Sequence, residues 1–242
     1  MDNSIGIVFI NGAGLSPSIW DDLINEFPFA CLTTEFPSKT VDAKSVHTVS
    51  FDDYVQAAAA QINQWHINRF VIVAHSIGAC VGLALASQFK TELMGFVAIA
   101  SVIPQSGKSF TNALPAPEKF IMPIVLRLFG TKPPQKSIAN ELCHDLTPNQ
   151  ASNVINGFRP ESKALYLTKI EYNLPETNRL YIKLSDDRSI PPALQGQMAL
   201  NLKAHQVQTI NSGHLPMLSQ AKALGEVLSA FINQAKVKDM YR

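Results

Sequence analysis

The sequence predicts an α/β fold: about six mainly parallel strands, helices on both faces, and a helical insertion over one end of the sheet. Three observations carry this expectation. Short apolar runs rich in Val, Ile and Phe recur along the chain, separated by segments of helix length. One of them, Phe70-Val71-Ile72-Val73, passes through a tight five-residue turn into a run of small, helix-compatible residues. Between the fourth and fifth runs, almost eighty proline-containing residues break the alternation, too many for a bare loop.

Taken in order, strands are expected at 5–10, 30–33, 69–74, 95–100, 179–184 and 206–210. Helices are expected at about 18–26, 51–64, 78–90, 192–202 and 221–234, with Asp22 and Asp52 in first turns, where the helix dipole favours negative charge. The whole chain, 1–242, reads as one domain with a lid inserted at about 103–176. Within that lid, 116–130 is an apolar helix with charges only at Glu118, Lys119 and Arg127. A second lid helix spans 147–158, with Thr147 as its cap and Pro148 in its first position.

Apolar residues make up 46% and charged residues 16%, which suits a folded domain with a substantial core. The formal net charge of +1 and the lack of a basic run give no reason to expect nucleic acid or an anionic membrane surface as partner. No stretch approaches the ~20 apolar residues of a membrane span, and Met1–Gly6 lacks the pattern of a leader peptide. Cys31, Cys80 and Cys143 are odd in number and lack metal-site spacing. A reduced, cytoplasmic, metal-free monomer or homodimer is expected.

The most informative residues are Ala74-His75-Ser76-Ile77-Gly78. A serine at a sharp strand-to-helix turn is lifted to the sheet edge beside a helix N-terminus, where a nucleophilic oxygen and anion-stabilising N–H groups can share one space. The usual first glycine is here Ala74, so the pentapeptide alone does not decide between a nucleophile and a capped turn.

A serine hydroxyl needs a base, and the base an orienting acid. His47, His66, His144 and His205 read as solvated or structural, and His75, adjacent to the serine, as a packing or hydrogen-bonding neighbour. His214 follows the last strand in Ser212-Gly213-His214-Leu215-Pro216, a constrained loop at the same sheet edge, and is the expected base. Asp186 and Asp187 follow the fifth strand and precede the histidine; Asp187 is preferred as the acid. The N–H of Ile77 and an N–H from Asn11-Gly12-Ala13-Gly14, that of Ala13, are the expected oxyanion donors.

With these elements in the order Ser76, Asp187, His214, the chain resembles the α/β-hydrolase superfamily, in particular its compact group of bacterial esterases, plant methylesterases and hydroxynitrile lyases. The resemblance spans nearly the whole chain and implies the α/β-hydrolase fold. Asn11-Gly12-Ala13-Gly14 with the later Trp20 matches the group's opening turn, although Asn11 stands where the group has histidine. His144–Pro148 and Phe158–Glu161 resemble a lid pattern of the bacterial members. Pro191, four residues after Asp187, aligns with the acid loop and favours Asp187 over Asp186. The similar lyases carry lysine after the catalytic histidine and threonine in the opening turn, whereas this chain has Leu215 and Gly12.

The resemblance therefore implies a serine carboxylesterase that needs no cofactor and acts on a small to medium hydrophobic ester. A hydroxynitrile lyase, thioesterase or carbon–carbon bond hydrolase on the same triad is the alternative, and a ligand-binding protein without turnover a more remote one. The apolar lid residues Phe120, Ile121, Met122, Val125, Leu128 and Phe129 are expected to shape the pocket, with Asn11, Trp20 and Leu215 beside them.

Overall fold

In the computed structural model, described over residues 5–37 and 45–239 with side chains through 236, a six-stranded parallel sheet forms the centre. Its strands are β1 (Gly6–Ile10), β2 (Cys31–Thr33), β3 (Phe70–His75), β4 (Leu93–Ile99), β5 (Asn178–Leu184) and β6 (Gln206–Ile210). Their spatial order is β2-β1-β3-β4-β5-β6. Residues 1–4, part of the segment read for a leader pattern, lie outside the described residues.

Central strands are buried on both sides, which explains their continuous apolar sequence. Alternate side chains enter two separate cores. Val8, Ile10, Ile72 and Ala74 join one core with Val55, Ala58 and Ile62 of α2 (Phe51–Gln64, after α1 at Asp21–Asn25). Ile7, Phe9, Val71 and Val73 join the other, with Leu224, Leu228 and Phe231 of the C-terminal helix (Ala221–Asp239). Burying each large apolar side chain contributes roughly 1.5–3 kcal/mol, so the sheet is fixed from both faces.

The helices follow their local signals. Ser50 accepts the Asp53 N–H while the Asp53 carboxylate accepts the Ser50 N–H, a capping box that starts α2 where the sequence predicts. The helix expected at 18–26 divides into a 3₁₀ turn, Pro17–Trp20, and α1, because Ser16 caps the turn through the Ser18 N–H. After β3 comes α3 (Gly78–Ala86), shorter than the expected 78–90.

The interval between β4 and β5 contains α4 (Glu118–Phe129), α5 (Gln135–Ser137) running into a π-turn at Ile138–Leu142, α6 (Pro148–Gly157) and α7 (Ala164–Leu167). In α6, Thr147 and Gln150 form a second capping box with Pro148 in the first turn. After β5, α8 (Pro192–Asn201) packs back on the sheet, and α9 (Pro216–Ser219) precedes α10, the C-terminal helix. No helix among the described residues is long and apolar enough to cross a membrane.

Candidate active site

Ser76 follows β3 directly with φ of +55°, a left-handed conformation that non-glycine residues adopt only where surrounding structure enforces it. Two features enforce it. The Ser76 N–H donates to the Ile99 carbonyl at 3.0 Å, anchoring the turn to β4. Gly78, at the start of α3, faces the backbone of β1: a Cβ there would lie 2.5 Å from the Asn11 carbonyl oxygen. The departure at Ala74 is accommodated from the helix side, since Gly82 of α3 lies opposite and a Cβ on it would contact the Ala74 methyl at 3.4 Å. The close approach is kept, with the glycine moved from the strand to the helix.

His214 and Asp187, separated by 27 residues in sequence, meet through Nδ1 and Oδ2 at 2.8 Å with both side chains buried. Asp187 Oδ1 also accepts the Ser189 and Ile190 N–H groups at 2.8 and 2.9 Å. Burial acts to raise the Asp187 carboxyl, but the charge and hydrogen bond of His214 and the two N–H donors outweigh it and hold the carboxyl below its ordinary value. Asp186 turns elsewhere, its Oδ2 3.0 Å from His144 Nε2.

Ser76, Ile77, Ala13 and His214 line one cavity of about 820 Å³. Ile77 immediately precedes α3, so its N–H sits at a helix start, where backbone donors have no intrahelical acceptor. The cavity wall is largely apolar, with Phe110, Leu114, Met122, Leu126, Phe158 and Leu194, and carries Glu118, Glu141 and Arg188 as charged groups. Burial raises the Glu141 carboxyl, with His214 opposing.

The expected pocket residues are placed differently. Asn11 is fully buried, and its Nδ2 donates to the Leu15 carbonyl at 2.9 Å. Trp20 is buried against Phe9, with ring centroids 4.6 Å apart, and Leu215 is buried in the core on the α10 side. Phe120 is 65% exposed. None of the four lines the cavity, and of the six apolar residues expected from the first lid helix only Met122 does. The helical period is the reason: Glu118, Met122 and Leu126, four residues apart, form the face of α4 turned inward, and Phe120 lies on another face.

Four supporting residues lie where no local motif signals them. Glu161, buried at the end of the insertion, accepts the Gly14 N–H at 3.0 Å and the Tyr54 hydroxyl at 2.9 Å. The Arg159 N–H donates to the Gly14 carbonyl at 3.1 Å, so the segment 159–161 grips both sides of the residue after Ala13. Asp145 accepts the Gly213 N–H at 2.7 Å, holding the histidine loop from the insertion. Gln195 of α8 donates to the Ile190 carbonyl at 2.6 Å and approaches Asp187 Oδ2 at 3.4 Å, bracing the acid loop.

His75 is also built into the site. Its Nε2–H donates to the His214 carbonyl at 2.8 Å, and the two rings lie 4.6 Å apart. Burial, and after it the neighbouring His214, pushes the His75 imidazole down to about 3. It is neutral at ordinary pH, with its proton on Nε2 facing the carbonyl. Burial pushes the thiols of Cys31, Cys80 and Cys143 up to about 11, 12 and 11, which keeps them protonated and poorly nucleophilic at ordinary pH. No cluster of three or more His, Cys, Asp or Glu that could hold a metal ion occurs among the described residues.

Comparison with known proteins bears on the family and the fold. No curated protein matches the chain in sequence. Among solved structures, it is similar to an extracellular alpha/beta-hydrolase from a Paenibacillus species described as sharing structural and functional homology with tobacco salicylic acid binding protein 2: TM-score 0.83, 17% identity, covering 93% of this chain and 97% of that one. A methylesterase from Arabidopsis superposes with TM-score 0.77 at 17% identity, over 95% and 99% of the two chains. A pyrethroid hydrolase superposes with TM-score 0.73 at 19% identity, over 97% and 99%. At these identities the likeness is one of fold. The sequence model of the alpha/beta hydrolase family matches residues 7–227. The chain belongs to the alpha/beta hydrolase family.

Proposed function

We propose that the protein is a serine carboxylic-ester hydrolase acting on small to medium hydrophobic esters. The observation that carries this reading is the buried 2.8 Å contact between His214 Nδ1 and Asp187 Oδ2 at the cavity that Ser76 lines. A histidine whose Nδ1–H is held by a carboxylate presents Nε2 as a base. The hydrolases and methylesterase of similar fold are in keeping with it.

In the proposed reaction, Ser76 Oγ attacks the ester carbonyl carbon and its proton passes to His214 Nε2. Asp187 holds the imidazole in the required tautomer and stabilises its protonated form. The N–H groups of Ala13 and Ile77 bind the oxygen that becomes negative. His214 returns the proton to the leaving alcohol, giving an acyl-enzyme. Water, deprotonated by the same histidine, then releases the acid and regenerates Ser76. The insertion at about 103–176 serves as the lid of a single domain, its apolar wall favouring hydrophobic acyl or alcohol groups. Three unpaired cysteines support a reducing, cytoplasmic setting, and a monomer or homodimer is consistent with the complete set of site residues in one chain.

The test is turnover of a p-nitrophenyl ester series, with a thioester and a cyanohydrin alongside, by wild-type protein and by Ser76→Ala. Ester hydrolysis lost about 10³-fold or more in the variant is the expected result. Cyanohydrin cleavage without ester hydrolysis, or equal ester turnover by both proteins, sinks the assignment.

A further inference from the structure

The outer face of α4 holds most of the exposed large apolar side chains among the described residues. Phe120, Ile124 and Leu128 are 65%, 56% and 71% exposed, and Ile121, Val125 and Phe129 in the adjacent row are 51%, 39% and 79% exposed. Two neighbouring rows at four-residue spacing make a continuous stripe along three turns. The cavity does not account for it, because the face of α4 turned to the cavity is the separate row of Glu118, Met122 and Leu126. A stripe of this extent on a water-facing helix marks an interaction surface.

Charge around the stripe narrows the partner. From Lys119 to Asn140 the sequence carries Lys119, Arg127, Lys132 and Lys136 and no Asp or Glu, although the whole chain has a net charge of only +1. Arg127, Lys132 and Lys136 are exposed, and Lys119 Nζ lies 4.9 Å from the Phe120 ring centroid, beside the apolar stripe. Lys163 adds a fifth cation at the C-terminal end of α4, its Nζ donating to the Arg127 carbonyl at 3.0 Å. Glu118 and Glu141, which bound this segment, both line the cavity and are also exposed, so they offset part of the excess and leave a net positive border. The overall charge balance conceals this local excess.

We propose that the outer face of α4 docks on an anionic phospholipid bilayer, with the apolar rows entering the headgroup–acyl boundary and the flanking cations contacting lipid phosphates. This is peripheral binding by an amphipathic helix that lies in the interface, not a span. A second copy fits less well. A two-fold contact sets the same patch on both partners, so it would bring this cationic border against another like it, with Glu118 the one acid that each copy of α4 supplies. Acidic lipid satisfies both the stripe and its cationic border.

The test is co-sedimentation of the full chain with vesicles of phosphatidylcholine alone and of phosphatidylcholine mixed with phosphatidylglycerol, at low and high salt. Binding to the mixed vesicles, weakened by salt and by removal of phosphatidylglycerol, is the expected result. Ile124→Glu combined with Leu128→Glu removes the apolar stripe, and Arg127→Glu combined with Lys132→Glu reverses the border; each pair should weaken binding about tenfold or more. None of these four residues lines the cavity, and circular dichroism melting confirms that each variant is folded. Equal binding to neutral vesicles overturns the anionic assignment. No vesicle binding, with sedimentation velocity showing a self-associated protein that Ile124→Glu with Leu128→Glu converts to monomer, assigns the face to a second copy instead. Absence of both also overturns the proposal.

Discussion

The Glu161 carboxylate accepts the Gly14 N–H at 3.0 Å across 147 residues of sequence, joining the end of the insertion to the turn that carries Ala13. The other oxygen of the same carboxylate accepts from Tyr54 of α2, which in turn accepts the Ser162 N–H at 2.9 Å. The turn at 11–14, which carries the proposed oxyanion donor Ala13, is thereby tied to both the insertion and α2.

This relationship predicts a split in kinetic effect. Glu161→Ala leaves the Gly14 N–H and the Tyr54 hydroxyl without their acceptor, at a stability cost of roughly 1–3 kcal/mol, and lets Ala13 shift. Ester kcat should fall about 10–100-fold with little change in KM, since misplacement of a catalytic group costs on that order. Glu161→Gln keeps an acceptor for Gly14 and should recover much of kcat. Tyr54→Phe, which leaves the Gly14 bond intact, should lower the melting temperature more than it lowers kcat. Equal loss of kcat in the alanine and glutamine variants contradicts the positioning role.

The two adjacent aspartates should separate cleanly. Asp187→Asn turns the carboxylate facing His214 into an amide and should reduce kcat by about 10⁴-fold. Asp186→Asn alters an exposed side chain paired with His144 and should leave kcat within a few-fold of wild type. A steady-state comparison of the two variants on one ester checks both expectations.

Stability should depend on pH through Asp187 and His75 in different windows. Asp187 is held below its ordinary 3.8, so its contribution is full above that value and is lost as pH falls through the lower folded value. His75 is a base depressed from 6.5 to about 3, so the unfolded chain binds a proton that the native protein does not. Its contribution is full above 6.5 and declines as pH falls towards 3. His75→Gln keeps a donor for the His214 carbonyl while removing the titration. Urea melts from pH 7 to pH 4 should therefore show a flatter profile in the variant.

The inward row of α4 predicts substrate selectivity. Met122→Trp narrows the cavity and should cut kcat/KM for bulky aryl or medium-chain esters by about tenfold or more while sparing acetate esters. Phe120→Ser, on the solvent side, should leave the ester profile unchanged. A chain-length series on both variants reads this directly.

These contrasts also mark what the sequence could disclose. The turn at Ser76, the loops bearing Asp187 and His214, and the capped helices α2 and α6 are specified by residues within a few positions of each other, so they are legible from one chain. Ala74 was the apparent defect, and its compensation lies at Gly82, on the helix that the same turn introduces. The pocket was not legible, because α4 is apolar around most of its circumference and its composition does not reveal which row faces inward. Met122 and Phe120 are two residues apart and only tertiary packing distinguishes them. Glu161 and Asp145 were hidden for another reason: the backbone N–H groups they accept belong to Gly14 and Gly213, 147 and 68 residues distant.

The central claim is that His214, held by Asp187, activates Ser76 as a nucleophile. Intact-protein mass spectrometry after brief exposure to a fluorophosphonate tests it most directly. One adduct, mapped by peptide digestion to Ser76, absent in Ser76→Ala and formed far more slowly in His214→Ala, is the predicted result. No adduct on the folded wild-type protein, or labelling of Ser76 at the same rate without His214, would contradict it.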